Sequence, residues 1–198
     1  MRSKTKIIID NFLNNNPIFL KAIILAPLTA ASNSLNNALA VCLVFTCLTY
    51  STIFLSSILN ISLPYALKSV TQVLISALIF VPVTAVTGYL FKNSTSEIGM
   101  YLSMLIINPI IVNKAETRFF KEDRELLHLK LILYIASFDA AALIMGVIRD
   151  FLGNGVLFNI KLSMTPIVPS ITAPFAGVIL LGFIVAGYKK IAALRGRE

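Results

Sequence analysis

The sequence predicts an all-α integral membrane protein: six transmembrane helices in a single domain, residues 1–198, built as two inverted three-helix repeats at about 14–90 and 97–190, with the first and fourth helices interrupted. Three observations carry this. The chain is 57% hydrophobic and 13% charged with a mean hydropathy of +0.85, whereas soluble domains carry about 25% charge. Long apolar runs recur along it, and about 20 such residues cross a hydrocarbon core of about 30 Å. Two of those runs are broken in the same way: Ala26-Pro27 gives way to Ser32, Asn33, Ser34, Asn36 and Asn37, and about 80 residues later Asn108-Pro109 gives way to Asn113, Lys114 and Glu116. A proline in mid-run removes a backbone donor and clashes with the preceding turn. Backbone freed in lipid has to line a site or be covered by protein. Matching interruptions in two halves point to an internal repeat with a site between them.

The elements follow in order. Arg2, Lys4, Lys6 and the triplet Asn14-Asn15-Asn16 lead into Pro17, which suits a first helical turn. Residues 18–32 form the first span, with Lys21 inside it, and residues 35–59 form an uncharged second span ending in a turn at 60–64. The third span covers 65–90, where Lys68 snorkels to the interface and Pro82 marks a kink. A short polar loop at 91–96 leads to the fourth span, 97–112, interrupted at Pro109. After a charge-dense stretch at 114–130, the fifth span covers 126–148 and stops at Arg149-Asp150-Phe151-Leu152-Gly153-Asn154-Gly155, whose glycine and asparagine supply positive φ. A loop with Pro166, Pro169 and Pro174 precedes the sixth span, about 173–188.

The net charge of +8 reads as cytoplasmic loops, and no nucleic acid is expected. With the N-terminus inside, the cytoplasmic segments hold Arg2, Lys4, Lys6, Lys68, Lys114, Arg118, Lys121, Arg124, Lys130, Lys189, Lys190, Arg195 and Arg197, against Lys92, Arg149 and Lys161 outside. Thirteen against three predicts both termini in the cytoplasm of a prokaryotic inner membrane. No signal peptide is expected, because no short apolar run with a small-residue cleavage site follows the basic start. Cys42 and Cys47 point about 140° apart on a helix, so they read as packing residues and not as a metal pair. No glycine-rich phosphate loop, metal-ligand cluster or Ser-His-Asp set is present to suggest a soluble enzyme.

The candidate site residues are those at the breaks and one buried acid. Pro27 and Pro109, with flanking polar residues that include Asn36, would line a site for an ion or cofactor or else shape packing. Asn108 would satisfy freed backbone or coordinate a cation. Asp139, in the middle of the fifth span, is costly at that depth by about 2.5–3.5 kcal/mol and is a candidate for binding Na⁺ or carrying a proton. Glu116 and Arg118 could bridge the cytoplasmic mouth, Arg149 and Asp150 would pair or cap their own helix end, and His128 reads as a loop residue.

Asn14-Asn15-Asn16-Pro17, Ala26-Pro27-Leu28-Thr29-Ala30, Asn36-Asn37-Ala38-Leu39, Ile106-Ile107-Asn108 with Ala115-Glu116, the run Arg149 to Phe158, and Pro174 to Gly187 together resemble the Rnf/Nqr family of six-helix membrane subunits. The run Arg149 to Phe158 is the most specific piece, and with the N-inside count it is closest to the E-type subunit of Rnf complexes and its D-type counterpart in Nqr complexes. The resemblance implies a subunit of a multi-subunit complex, beside a paralogous A-type membrane subunit, that couples electron transfer to Na⁺ or H⁺ movement. It implies broken helices meeting near the midplane, and it implies a [2Fe-2S] cluster shared with that paralogue through a cysteine on each broken helix. At those positions this chain has Ala26 and Pro109, neither of which can supply a thiolate. No cluster bound by this chain is therefore expected. The alternatives are a small-solute transporter or substrate-binding membrane component, and a structural paralogue without a pathway of its own.

Overall fold

The structure, a computed structural model, describes residues 25–59, 65–108, 124–157, 160–161 and 168–195. Six α-helices order the described chain: α1 (Leu25–Ala31), α2 (Leu35–Leu59), α3 (Tyr65–Leu90), α4 (Lys92–Ser103), α5 (Arg124–Arg149) and α6 (Pro174–Arg195). The only strands among the described residues are a two-residue antiparallel pair, β1 (Val156–Leu157) and β2 (Ile160–Lys161). The protein is an all-α membrane protein. Three of its described helices are long and apolar enough to cross a bilayer, over Leu35–Ser56, Ser69–Leu90 and His128–Asn154, and Pro174–Gly187 is a shorter apolar helix.

The sequence expectations are met at some boundaries and corrected at others. Residues 18–24 of the first expected span, Lys21 among them, lie outside the described residues. Its described part, α1, is helical through Ala26 and Pro27, and the described chain turns at Ser32–Ser34 instead. Pro27 lies within the described part of α1. Ser34 then caps α2: its hydroxyl accepts from the Asn37 N–H at 3.3 Å.

Helix α3 runs unbroken through Pro82. The expected polar loop at 91–96 is not a loop, because Phe91 alone separates α3 from α4. The Phe91 N–H donates to the Thr87 carbonyl at 2.7 Å and the Thr95 N–H to the Phe91 carbonyl at 3.0 Å, so backbone pairing continues across the junction. The Thr95 and Ser96 hydroxyls fold back on the carbonyls of Phe91 and Asn93, hiding polar groups that in sequence look like a loop.

Among the described residues the fourth segment stops being helical just before Pro109. Helix α4 tightens into a 3-10 turn at Met104–Ile107 and ends at Asn108, whose φ of −69° and ψ of 124° are extended. The residue before a proline is pushed out of the helical region in this way. Pro109, Glu116 and Arg118 lie outside the described residues. At 12 residues, α4 does not by itself have the length of a span.

Packing centres on the antiparallel pair α2 and α5. Phe45 and Phe138, both buried, stack with ring centroids 3.8 Å apart. Nearby, a Cβ on Gly146 would sit 2.6 Å from the Ala38 Cβ, so only glycine admits this approach. Helices in lipid gain little from hydrophobic exclusion, and small residues that let backbones touch do that work instead, here Ala142 and Gly146 on one face of α5. Helix α3 is inside-out by the standard of a soluble protein. Leu74, Leu78, Val81 and Tyr89 are exposed, while Gln72, Ser76 and Thr87 are buried. Such a pattern suits a lipid-facing helix with a polar interior face.

Candidate functional site

One seam, between α2 and α5, holds two polar constellations. The first is at the Arg149 end. The Arg149 side chain is fully buried and donates to five backbone carbonyls: Thr29 in α1 and Ser32 just after it, Ile171 and Thr172 in the 3-10 turn (Pro169–Thr172) that leads into α6, and Ala173 directly after that turn. A guanidinium has five N–H groups in a planar fork, and here they find a full set of acceptors. A Cβ on Gly177 of α6 would stand 2.6 Å from the Thr29 carbonyl oxygen and 3.0 Å from Arg149 Nη1, so glycine opens the space for this side chain.

Asp150 completes the clamp. Its Oδ2 accepts from the Leu35 N–H at 3.4 Å, at the first residue of α2, and its Oδ1 accepts from Asn154 Nδ2 at 2.9 Å. The cation therefore sits on the carbonyl end of α1 and the anion on the amide end of α2, the placement that peptide dipoles favour. Arg149 and Asp150 were expected to pair with each other or to cap their own helix. They cap two other helices, because α5 continues past Arg149 as a π turn (Asp150–Asn154) that aims consecutive side chains at α1 and α2. Gly155, with φ of 61°, ends that turn in the left-handed region.

The second constellation lies eleven residues along both helices, about 16 Å from the clamp at 1.5 Å per residue. Asp139 Oδ2 accepts from the Thr46 hydroxyl at 2.8 Å, and the Cys42 thiol contacts the Asp139 carbonyl at 3.7 Å. Asp139 Oδ1 is buried and has no hydrogen-bond partner. One turn along α2 from Thr46, the buried Thr49 hydroxyl accepts from Asn108 Nδ2 at 3.1 Å. Cys42, Thr46 and Thr49 fall on one stripe of α2. That stripe joins the mid-helix acid of α5 to the broken end of the fourth segment.

Two of the sequence candidates, Asp139 and Asn108, thus come to neighbouring turns of α2. Pro27 is buried in α1, which packs against α4 and α6. Asn36 is half-buried in the first turn of α2, away from the Asp139 stripe. Its neighbour Asn37 is the better connected: its side-chain amide donates to Asn33 Oδ1 at 2.6 Å and to Glu97 Oε2 on α4 at 2.9 Å. His128 is part of α5, with Tyr50 and Phe54 about its ring at centroid distances of 6.1 Å each, and is not in a loop. Sequence reasoning named Asn37 only among the polar residues after Pro27, and it singled out neither Thr46 nor Thr49, nor Glu97 as a site residue. Thr46 and Thr49 carry a signal in hindsight, as hydroxyls spaced three apart on an uncharged span.

Iron-sulfur ligation fits this chain poorly. Cys42 faces Asp139 while Cys47 is exposed, so the two thiols diverge. At the break, the Asn108 amide is engaged with Thr49. Among the described residues no three His, Cys, Asp or Glu side chains come together as a metal site.

The chain matches the family described as "Rnf-Nqr subunit, membrane protein" over residues 4–188. It is 27% identical over 150 residues to the D subunit of the Na(+)-translocating NADH-quinone reductase of Pseudoalteromonas translucida (strain TAC 125), covering 76% of this chain and 71% of that relative. The corresponding subunits of Shewanella sp. (strain ANA-3) and Shewanella frigidimarina (strain NCIMB 400) are each 26% identical over 151 residues, with the same coverage. Together with the buried polar seam and the spanning helices, this makes the chain a prokaryotic multi-pass membrane protein of the Rnf-Nqr subunit family.

Proposed function

We propose that this protein is the D/E-type membrane subunit of an ion-translocating electron-transport complex, seated beside a paralogous A-type subunit, with both termini cytoplasmic. Its part is to hold the Asp139 constellation for the coupling ion, Na⁺ or H⁺, and not to ligate an iron-sulfur cluster. Six spans in two inverted halves remain the preferred architecture. The packing of α1 against α4 supports it, since these are the described parts of the first and fourth spans and each leaves the helical conformation, at Ser32–Ser34 and at Asn108.

The observation that carries the ion role is the half-filled Asp139 carboxylate. One oxygen is held by Thr46 and the other is buried without a donor, in mid-span, where such a group is costly to keep. A carboxylate in that condition binds a proton or a cation. The test is Asp139→Asn in the complex reconstituted into vesicles. Ion uptake driven by electron transfer falls at least tenfold while the complex still assembles. Unchanged coupling removes Asp139 from the site.

A further inference from the structure

We propose that the ion taken up at Asp139 is a proton, and that Thr46 is the positioning hydroxyl that serves the carboxyl in both of its charge states. This rests on the reading of Asp139 as the coupling-ion site and names the ion. Asp139 Oδ1 is buried and unpaired, while Oδ2 meets the Thr46 hydroxyl at 2.8 Å. A proton needs neither room nor further ligands. It forms one O–H bond on the carboxylate and removes the charge that makes a bare acid costly in lipid. A hydroxyl both donates and accepts. Thr46 therefore donates to Oδ2 of the ionised acid and accepts from Oδ2–H of the neutral one, and neither state strands it.

Sodium needs more than this seam supplies. A dehydrated Na⁺ must be wrapped in oxygens, and membrane sites draw them from unwound backbone. Thr46 and Asp139 lie deep within α2 and α5, where helix hydrogen bonds occupy the carbonyls. Next to them in sequence are the buried, stacked rings of Phe45 and Phe138. The broken end of the fourth segment meets the same stripe of α2 at Thr49, and there it presents the amide nitrogen of Asn108, a donor. Among the described residues, the oxygens that observed bonds gather at this point are those of Asp139 and Thr46. They suffice for a proton and are too few for a sodium shell.

The surroundings also make the titration simple. The titratable side chain set against Asp139 is the Cys42 thiol of α2, 3.7 Å from the Asp139 carbonyl. Helices α1 and α2 carry no charged residue, and α6 carries none before Lys189. On α5 itself the nearest charges in sequence are Lys130 and Arg149, nine and ten residues away. With charges that far off, Asp139 takes up one proton in one step and does not share it with a second acid.

The experiment follows a pH-sensitive dye and radiolabelled Na⁺ together in vesicles holding the reconstituted complex. Potassium and valinomycin hold the membrane potential at zero, so that protons do not merely follow another pumped charge. Proton movement driven by electron transfer is expected to persist when choline replaces Na⁺ and to fall at least tenfold in Asp139→Asn. Na⁺ uptake that depends on Asp139, without proton movement that does, overturns the proton and leaves Asp139 as the site. If Asp139→Asn changes the movement of neither ion, the site itself is lost. Infrared spectra of the purified complex give a readout apart from transport. A protonated-carboxyl C=O stretch, absent from Asp139→Asn, is expected to titrate in one step and to be the same in Na⁺ and in choline. Thr46→Val is expected to change that proton affinity about fivefold, since the bond to the ionised form is the stronger of the two, and Thr46→Ser to restore it. A missing band, a band bleached by Na⁺, or a titration indifferent to Thr46→Val overturns the proposal.

Discussion

The two ends of one eleven-residue stretch of the α2–α5 seam solve opposite problems with similar residues. At the clamp, Arg149 meets five carbonyls and both Asp150 oxygens accept a hydrogen bond. At mid-seam, Asp139 has one oxygen occupied and one bare. A buried polar network in which every member is satisfied fixes neighbouring elements in place. One left half satisfied adds little to stability and keeps an acceptor free for a ligand. Asp139 is half-buried where Arg149 and Asp150 are buried, and the tally of donors and acceptors marks the difference in role.

Substitutions can break this contrast, and the largest effect belongs to the clamp. Arg149→Met strands five carbonyls where α1, α5 and α6 meet, and loss of about 3–5 kcal/mol is expected, the range for removing one partner of a buried charged network. The protein would fail to accumulate in membranes, read by quantitative blotting. Arg149→Lys would rescue little, since three donors on a point charge cannot reach the acceptors of a planar fork. If Arg149→Met accumulates normally, the clamp is not what holds α1 and α6 on the seam.

Gly177→Ala comes next, because its new Cβ would lie within 2.6 Å of the Thr29 carbonyl oxygen and displace the guanidinium. A cost of about 1–3 kcal/mol, the usual penalty for overpacking, would lower the thermal midpoint in detergent. Asp150→Ala removes an acceptor from the first N–H of α2, and about 1 kcal/mol is expected in the same melt. The smallest effect on stability is at mid-seam. Asp139→Asn keeps shape and the acceptor facing Thr46, so the melt should move by no more than about 0.5 kcal/mol while ion coupling collapses. A large destabilisation by Asp139→Asn would erase the distinction between the two ends.

Much of this was legible in the residues themselves. The uncharged stretch 35–59, the mid-helix acid at 139 and the break at Asn108 follow from hydropathy, the cost of charge in lipid and the steric rule before proline. What was not legible depended on pairing across distant positions. Nothing local in Arg149-Asp150 says that the two side chains serve α1 and α2, more than 110 residues away. The polar stretch after Phe91 misled because serine and threonine in a helix can bond their own backbone, and composition then looks like a loop. The hydroxyls on α2 look like ordinary tolerated polarity until the acid and the amide that meet them are placed.

Phe91 sets a mechanical condition on all of this. With a single residue between α3 and α4, and backbone bonds carried across it, the two helices form a bent lever with no slack at the elbow. Any tilt of α3 against its surroundings must swing the far tip of α4, and that tip carries the Asn108 amide that grips Thr49. A neighbouring protein leaning on the exposed leucines of α3 would thus tug on the centre of the bundle without entering it.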